Sequence, residues 1–410
     1  MCGKSEAGLR PIAGHRYYKR VRHLAGIVSL VILSAGAADF HAATPRVAPA
    51  ALPFAPSWSR EFAGAPPVAA AVSDAGWIVA GFADHVEFVA ADSGERAATL
   101  PIPAARLSCQ AALCLAADES TIRAVDVTRR TVSWQRPLPA PLVADPVLRS
   151  GWVFLTTGDG QIAALRESDG TTVWTYAAHA PLTGAPSVDG DRLALATTRD
   201  EVTLLDVRTG KAVWTTPIYT GHPGAPKLGG GTVLVGTDAR ELLFIDAENG
   251  RLLATQRPAS AIVGAPALDE HSVYTVGFDG VLRAFDRGTR ALSWYADLPT
   301  RPAASGLAAG GDLVVVALRT GAFYGYLWDT TGKKPAVAIA APGAADTSQR
   351  LLVPPIIAGT GVGMRLVTIS GGVGDASKWS ATLFSGGARL AVSETPAMVS
   401  GLGLTLTKPQ

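Results

Sequence analysis

The stretch LLDVRTGKAVW, Leu204–Trp214, reads as the end of one strand, an Asp-x-x-Thr-Gly turn and the start of a second strand. It recurs with a period of 40 residues. AALRESDGTTVW places Trp174 40 residues before Trp214, RAVDVTRRTVSW places Trp134 40 earlier again, and RAFDRGTRALSW places Trp294 80 after Trp214. Position 254, the missing member, is Ala in FIDAENGRLLA. Asp126, Asp206, Asp246 and Asp286 share one phase, with Arg166 as the exception, and Gly170, Gly210 and Gly250 share another. A second marker keeps the same period: GAP occurs at 184–186, 224–226 and 264–266, and again at 64–66, with Pro146 in phase.

A period near 40 with about four strands per unit predicts an all-β fold, a β-propeller. In one unit APSV, RLALAT, EVTLLDV and AVWTT are the four strands, separated by DGD, TRD and RTG. The second and third are apolar on both faces, as expected where blades pack on blades. Units fall near 64–100, 104–138, 143–178, 183–218, 223–257, 263–298, 302–341 and 350–393. The expectation is eight four-stranded blades, with seven as the alternative. PSWSREF, 56–62, resembles a fourth strand without a blade of its own, and is expected to close the ring on the last blade. The periodic Asp ends a strand where its carboxylate can accept turn N–H groups. The periodic Trp fills the space between neighbouring blades.

The N-terminus reads as an export leader. Lys4, Arg10, Arg16, Lys19, Arg20 and Arg22 precede the apolar LAGIVSLVILSAGAA, and Ala35 and Ala37 form an A-x-A cleavage pattern. The expected organisation is a signal peptide over 1–37, an Ala/Pro-rich linker over 38–55 and one propeller domain over 56–410, in the periplasm. The alternative is a leader kept as an anchor. Loss of residues 1–37 leaves 30 basic and 33 acidic residues, so the mature chain lacks the charge of a nucleic-acid binder.

The repeat A/L-x-D-x-x-T-G-x-x-x-W, with GAP before it, resembles the pyrroloquinoline-quinone-type (PQQ-like, quinoprotein-like) propeller repeat. The resemblance covers most of the mature chain, best from Ala124 to Trp294. It implies one of two branches. Non-catalytic envelope propellers of the BamB family imply a scaffold with protein partners, the outer-membrane insertion machinery among them, and no cofactor. Members of that family carry a lipidation cysteine after the leader's apolar stretch. SAGAADFHAA has none, so membrane association is expected only through partners. Quinoprotein dehydrogenases imply a vicinal cysteine pair, a calcium held by carboxylate and amide side chains, and a catalytic Asp. Here no cysteines are adjacent and Asn249 is the single asparagine. The first branch is therefore expected: no enzyme, no catalytic residue and no metal site. A carbohydrate-binding propeller is the third reading.

In a propeller, connections between blades share a face with the second-to-third-strand hairpins. That face would carry His179, Tyr219, His222, Arg257 and Arg301 from connections, and Asp159, Arg199, Asp200, Asp238, Arg240 and Asp279 from hairpins. A ring of mixed charge suits protein recognition with a polar rim. No histidine pair has metal-ligand spacing. Cys109 and Cys114, in an exported chain, suggest one disulfide. Aligned two periods back, they fall at the phases of Asp189 and Ala194, across the first-to-second-strand hairpin. A four-residue turn would set them opposite, whereas the two-residue turn of the aligned blade would offset them. The alternative is two small buried hydrophobes.

Overall fold

The computed structural model describes residues 49–51, 56–299, 301–310, 313–318, 323–328, 335–340, 349–351, 356–358, 365–372 and 375–385. The leader lies outside them. Eight sheets follow one another along the chain. The first six blades span Ala69–Leu100, Arg106–Pro137, Val147–Ala177, Ser187–Pro217, Lys227–Gln256 and Ala267–Asp297, and each is a four-stranded antiparallel meander. The seventh runs from Pro302 to Ala340 and the eighth from Gln349 to Ser385. The chain is an eight-bladed β-propeller; seven blades is excluded.

Within a blade the first strand is innermost. Neighbouring blades are tied together here: Ser187 Oγ accepts from Leu228 N of the next first strand at 2.9 Å, and Ser73 Oγ donates at 2.9 Å to the carbonyl of Ala111, in the turn that follows the next first strand. The second and third strands are buried on both faces, as in RLALAT and EVTLLD, while the fourth, such as AVWTTP, is mostly exposed.

The ring closes through Pro56–Ala63, which pairs antiparallel with Asp375–Ser385 as the outermost strand of the eighth blade. Phe62 stacks on Trp379 with ring centroids 4.3 Å apart. Trp379, Val367 and Ile369 then pack with Ile78, Ala80 and Val89 of the first blade. Within the Ala/Pro-rich stretch, Pro49–Ala51 pairs in parallel with Ala338–Ala340 as a fifth strand on the seventh blade. An outer edge offers unpaired backbone groups, so a segment without a core of its own can add there.

The periodic residues form one joint between blades. Trp58, Trp134, Trp174 and Trp214 each donate an indole N–H to a carbonyl of the next blade: Ala91, Glu167, Val207 and Ala247, at 3.0, 2.7, 2.7 and 3.0 Å. Each ring lies across a glycine. A Cβ on Gly94, Gly170, Gly210 or Gly250 would stand 2.5 to 2.8 Å from the indole. These glycines have φ between 67° and 73°, which also favours a residue without Cβ. The periodic Asp shapes the turn that presents the glycine. Asp206 Oδ1 accepts from Arg208 N, Thr209 N and the Thr209 hydroxyl, and Gly210 N returns to the Asp206 carbonyl at 2.8 Å. The Thr209 hydroxyl bond, with these N–H bonds and the Arg192 charge, holds the Asp206 carboxyl below the usual range against partial burial.

Two joints are built otherwise. Ala98 and Ala254 stand at the Trp phase, and the next blades carry Arg130 and Arg290, not glycine, at φ 57° and 62°. The cross-strand partners change with them. Ala98 and Ala254 face Phe88 and Phe244, whereas Trp134, Trp174 and Trp294 face Ala124, Ala164 and Ala284. The ring has moved one strand inward, and the vacated outer site tolerates an arginine. Arg130 sits over the Trp77 ring at 4.6 Å. Trp294 is a third variant: it is 1% exposed and packs on Tyr274 and Tyr326.

Cys109 and Cys114 are joined, with Cα atoms 4.1 Å apart. The turn has two residues, Ala111–Ala112, yet the cysteines lie directly opposite, contrary to the expected offset. The reason is a one-residue deletion. Ala117 pairs with Ile122 in the second blade, where Ala196 pairs with Val202 in the fourth. The true counterparts of the cysteines are therefore Val188 and Leu193, themselves a cross-strand pair.

The joint predicts a double-mutant cycle. Trp174→Ala should destabilise by about 3 kcal/mol, the low end for a large aromatic because the ring is partly exposed. Gly210→Ala alone should cost more than about 2 kcal/mol, from the left-handed backbone and the displaced indole together. With Trp174→Ala already present, its cost should fall to about 1 kcal/mol, the backbone part alone. Additive values in denaturant unfolding would remove the indole-on-glycine contact as the source of the coupling.

Candidate protein-docking face

One end of the ring is assembled by a repeated backbone clamp. The chain entering a blade bonds to that blade's second-to-third-strand hairpin: Gly158 N to Pro141 O, Thr198 N to Pro181 O, Asp238 N to His222 O and Phe278 N to Ala261 O. The chain leaving the fourth strand bonds to the same hairpin: Ala178 N to Gly160 O, Ile218 N to Asp200 O and Leu298 N to Gly280 O. Connections and hairpins thus share one face because backbone groups at the blade tip have no ladder partners and satisfy one another.

Of the sequence-derived residues on this face, His222, Asp200 and Asp238 come together. His222 Nδ1 lies 2.7 Å from Asp200 Oδ1, and the His222 backbone N–H donates to Asp238 Oδ1 at 2.7 Å. Three hairpins and connections of the fourth and fifth blades meet there. The Asp200 hydrogen bond, then the charges of Asp200 and Asp238, hold the exposed His222 above the usual histidine range. Arg257 joins a neighbouring pair, its Nε 3.0 Å from Glu241 Oε1. Thr220 donates its hydroxyl to the other Glu241 oxygen.

The remaining residues divide. Asp159 and Asp279 brace their own hairpins, Asp159 through Thr157 and Gln161, Asp279 through Arg283 at 2.6 Å. His179, Arg199, Arg240 and Arg301 are exposed, without a side-chain hydrogen bond or ion pair among the described residues. Tyr219 is 89% exposed.

Sequence reasoning passed over Thr220 and Glu241. The available signal was an acid opening the apolar run LLFID. Nor did that reasoning single out His85. On the first blade His85 lies between Asp84, at 2.6 Å, and the buried Glu87, at 3.3 Å, and stacks on Phe82 at 4.4 Å. Arg96 completes that group, 3.0 Å from Glu87.

Apolar side chains are also exposed on this face. Phe278, 56% exposed, projects from a hairpin of the sixth blade, and Val68 and Val143 are exposed where chain enters the first and third blades. The other exposed large apolar residues, such as Val173, Val213 and the adjacent Leu252 and Leu253, lie on outer strands. Among the described residues no side chain bonds to His222 Nε2, and no three His, Cys, Asp or Glu gather as a metal-binding group. The face offers apolar side chains framed by carboxylates and guanidinium groups, an arrangement for binding a protein surface.

A family model described as outer membrane protein assembly factor BamB matches residues 84–228 and 201–381. Among solved structures, the crystal structure of BamB from Moraxella catarrhalis superposes with a TM-score of 0.58 at 17% identity, covering 81% of this chain and 99% of that one. The computationally designed Ika8 protein superposes with a TM-score of 0.60 at 13% identity, covering 80% of this chain and 98% of its own. At these identities the likeness carries the fold. A comparison with curated proteins found no match.

The His222–Asp200 pair has a defined pH response. A histidine with a raised folded-state pKa contributes stability that is complete below the ordinary value of about 6.5 and is lost as pH rises through the folded-state value. NMR titration should find His222 above the ordinary value in the native protein and lower in Asp200→Asn. An unchanged titration in that variant would place the cause elsewhere.

Proposed function

We propose that this chain, which belongs to the family of the outer membrane protein assembly factor BamB, is an exported, non-catalytic scaffold that docks protein partners during outer-membrane protein assembly. The observation that carries the reading is the exposure of Tyr219 and Phe278 on the face where connections and hairpins meet. Large aromatics placed in solvent on a monomer's surface are the usual anchors of an interface. The surrounding charges are already positioned: Asp200 is braced by His222, and Arg257 by Glu241. Such a rim selects a partner by complementary charge at small ordering cost.

The reading of a non-enzyme rests on the sequence. Its three cysteines, Cys2, Cys109 and Cys114, include no vicinal pair of the quinoprotein kind. Export rests on the leader over 1–37, and attachment to a membrane is through the docked partners.

Affinity capture from envelope fractions tests the proposal. The full chain should recover the outer-membrane insertion machinery. A Tyr219→Ala/Phe278→Ala variant with an unchanged unfolding midpoint should recover at least about tenfold less, the loss expected for about 1.4 kcal/mol of anchor energy. Reproducible recovery of unrelated proteins only would overturn the assembly role. Equal recovery by the variant would move the docking site off this face.

A further inference from the structure

The repeat departs from itself at the ring's axis. The residue after the periodic proline is Val147, Ser187 and Ala267 in the third, fourth and sixth blades, and Lys227 in the fifth. Each opens the innermost strand of its blade. Leu228, next along, is buried in the core between blades, so alternation turns Lys227 away from that core. Lys227 instead lines a cavity of about 540 Å³ with Arg149, Asp189, Asp269 and Arg287, contributed by four consecutive blades. The cavity opens toward the first-to-second-strand hairpins, at the opposite end of the blades from the docking face.

Charge in this cavity is unevenly satisfied. The Lys227 side chain is half-buried and makes no hydrogen bond or ion pair among the described residues. Burial pushes its ammonium down from the usual range; Arg149 adds to the effect and Asp189 opposes it. Of the three lining carboxylates, Glu270 is exposed to solvent and the other two accept hydrogen bonds from their own surroundings. Asp189 accepts from Gly230 N at 3.3 Å, and Asp269 accepts from His271 N, Ser272 N and the Tyr274 hydroxyl. Arg287 crosses between two hairpins, donating to the backbone carbonyls of Asp269 and Glu270. It lies against Gly230, where any Cβ would collide with the guanidinium. Backbone carbonyls hold Arg287 in place, and among the described residues no carboxylate pairs directly with its guanidinium.

We propose that this end of the channel binds a small oxyanion, carboxylate or phosphate, held by Lys227 with Arg149 and Arg287. A half-desolvated ammonium without an acceptor is unfavourable, and an oxyanion supplies acceptors to all three cations. The site is separate from the docking face, and the neighbouring blades carry Val, Ser or Ala where the fifth carries Lys227.

Calorimetric titration of the full chain with inorganic phosphate, and separately with succinate, at fixed ionic strength in chloride tests the site. Saturable binding of at least one of these ions is expected. Lys227→Ser, which installs the neighbouring blade's residue, should raise that Kd at least tenfold with the unfolding midpoint retained. Arg149→Gln, a change at an exposed position, should raise it several-fold and serves if the first variant fails to fold. Tyr219→Ala, on the other face, should leave it unchanged. No saturable binding of either ion, or equal Kd values in the native chain and the Lys227 and Arg149 variants, would overturn the proposal.

Discussion

At four joints of this ring blade spacing is set by an indole resting on a glycine. The indole N–H fixes its depth by reaching a carbonyl of the next blade, 33 residues on, and the absent Cβ lets the ring lie flat. The hydrogen bond is directional and the ring contact broad, so the joint specifies both the angle and the separation of adjacent sheets. Everything else depends on that spacing: which apolar strand faces meet, where the hairpins of successive blades fall, and how wide the axis stays.

The two exceptional joints show what the constraint really is. Volume between blades must be conserved, and the indole is one way to conserve it. At Ala98 and Ala254 a phenylalanine on the third strand occupies the space, and the glycine is released to become arginine. Packing density in an interior tolerates such exchanges when volume is kept and punishes them singly. The indole and the glycine are therefore kept or lost together within one chain, while the residue facing the indole is Ala in some blades and Leu204 at Trp214.

Much of the fold was legible in the sequence because a repeat is its own alignment. The phases of Trp, Asp, Gly and GAP marked the blades, and PSWSREF announced the closing strand by resembling a fourth strand out of place. Legibility ended where the count slipped. One residue fewer between Ala117 and Ile122 moved the partners of Cys109 and Cys114 by one position, and a fixed period cannot see that. The docking face was legible only as a list. Sequence phase assigns His222, Asp200 and Asp238 to one end of the ring, but their meeting depends on how three loops fold over a blade tip. Glu241 was missed for a related reason: a buried acid opening an apolar strand makes sense only once Arg257 and Thr220 are seen to reach it. Lys227 stands out in the repeat, yet its meeting with Arg149 and Arg287 around one cavity is a fact of three dimensions.

The closing strand also sets a timetable. Ser59 meets Thr382 across 323 residues, so the segment that leaves the ribosome, or crosses a membrane, first must wait for nearly the last segment of the ring. Until then Trp58 and Phe62 belong to an unpaired edge strand, and the first blade has no neighbour on one side. Contacts this distant in sequence form late and slowly, and exposed strand edges invite pairing with other chains in the interval. Seven blades can stack progressively as they are made, but the circle closes in one event, once Asp375–Ser385 has been made. A ribosome that stalls before Asp375 leaves an open arc whose two sticky edges are each complementary to the missing strand.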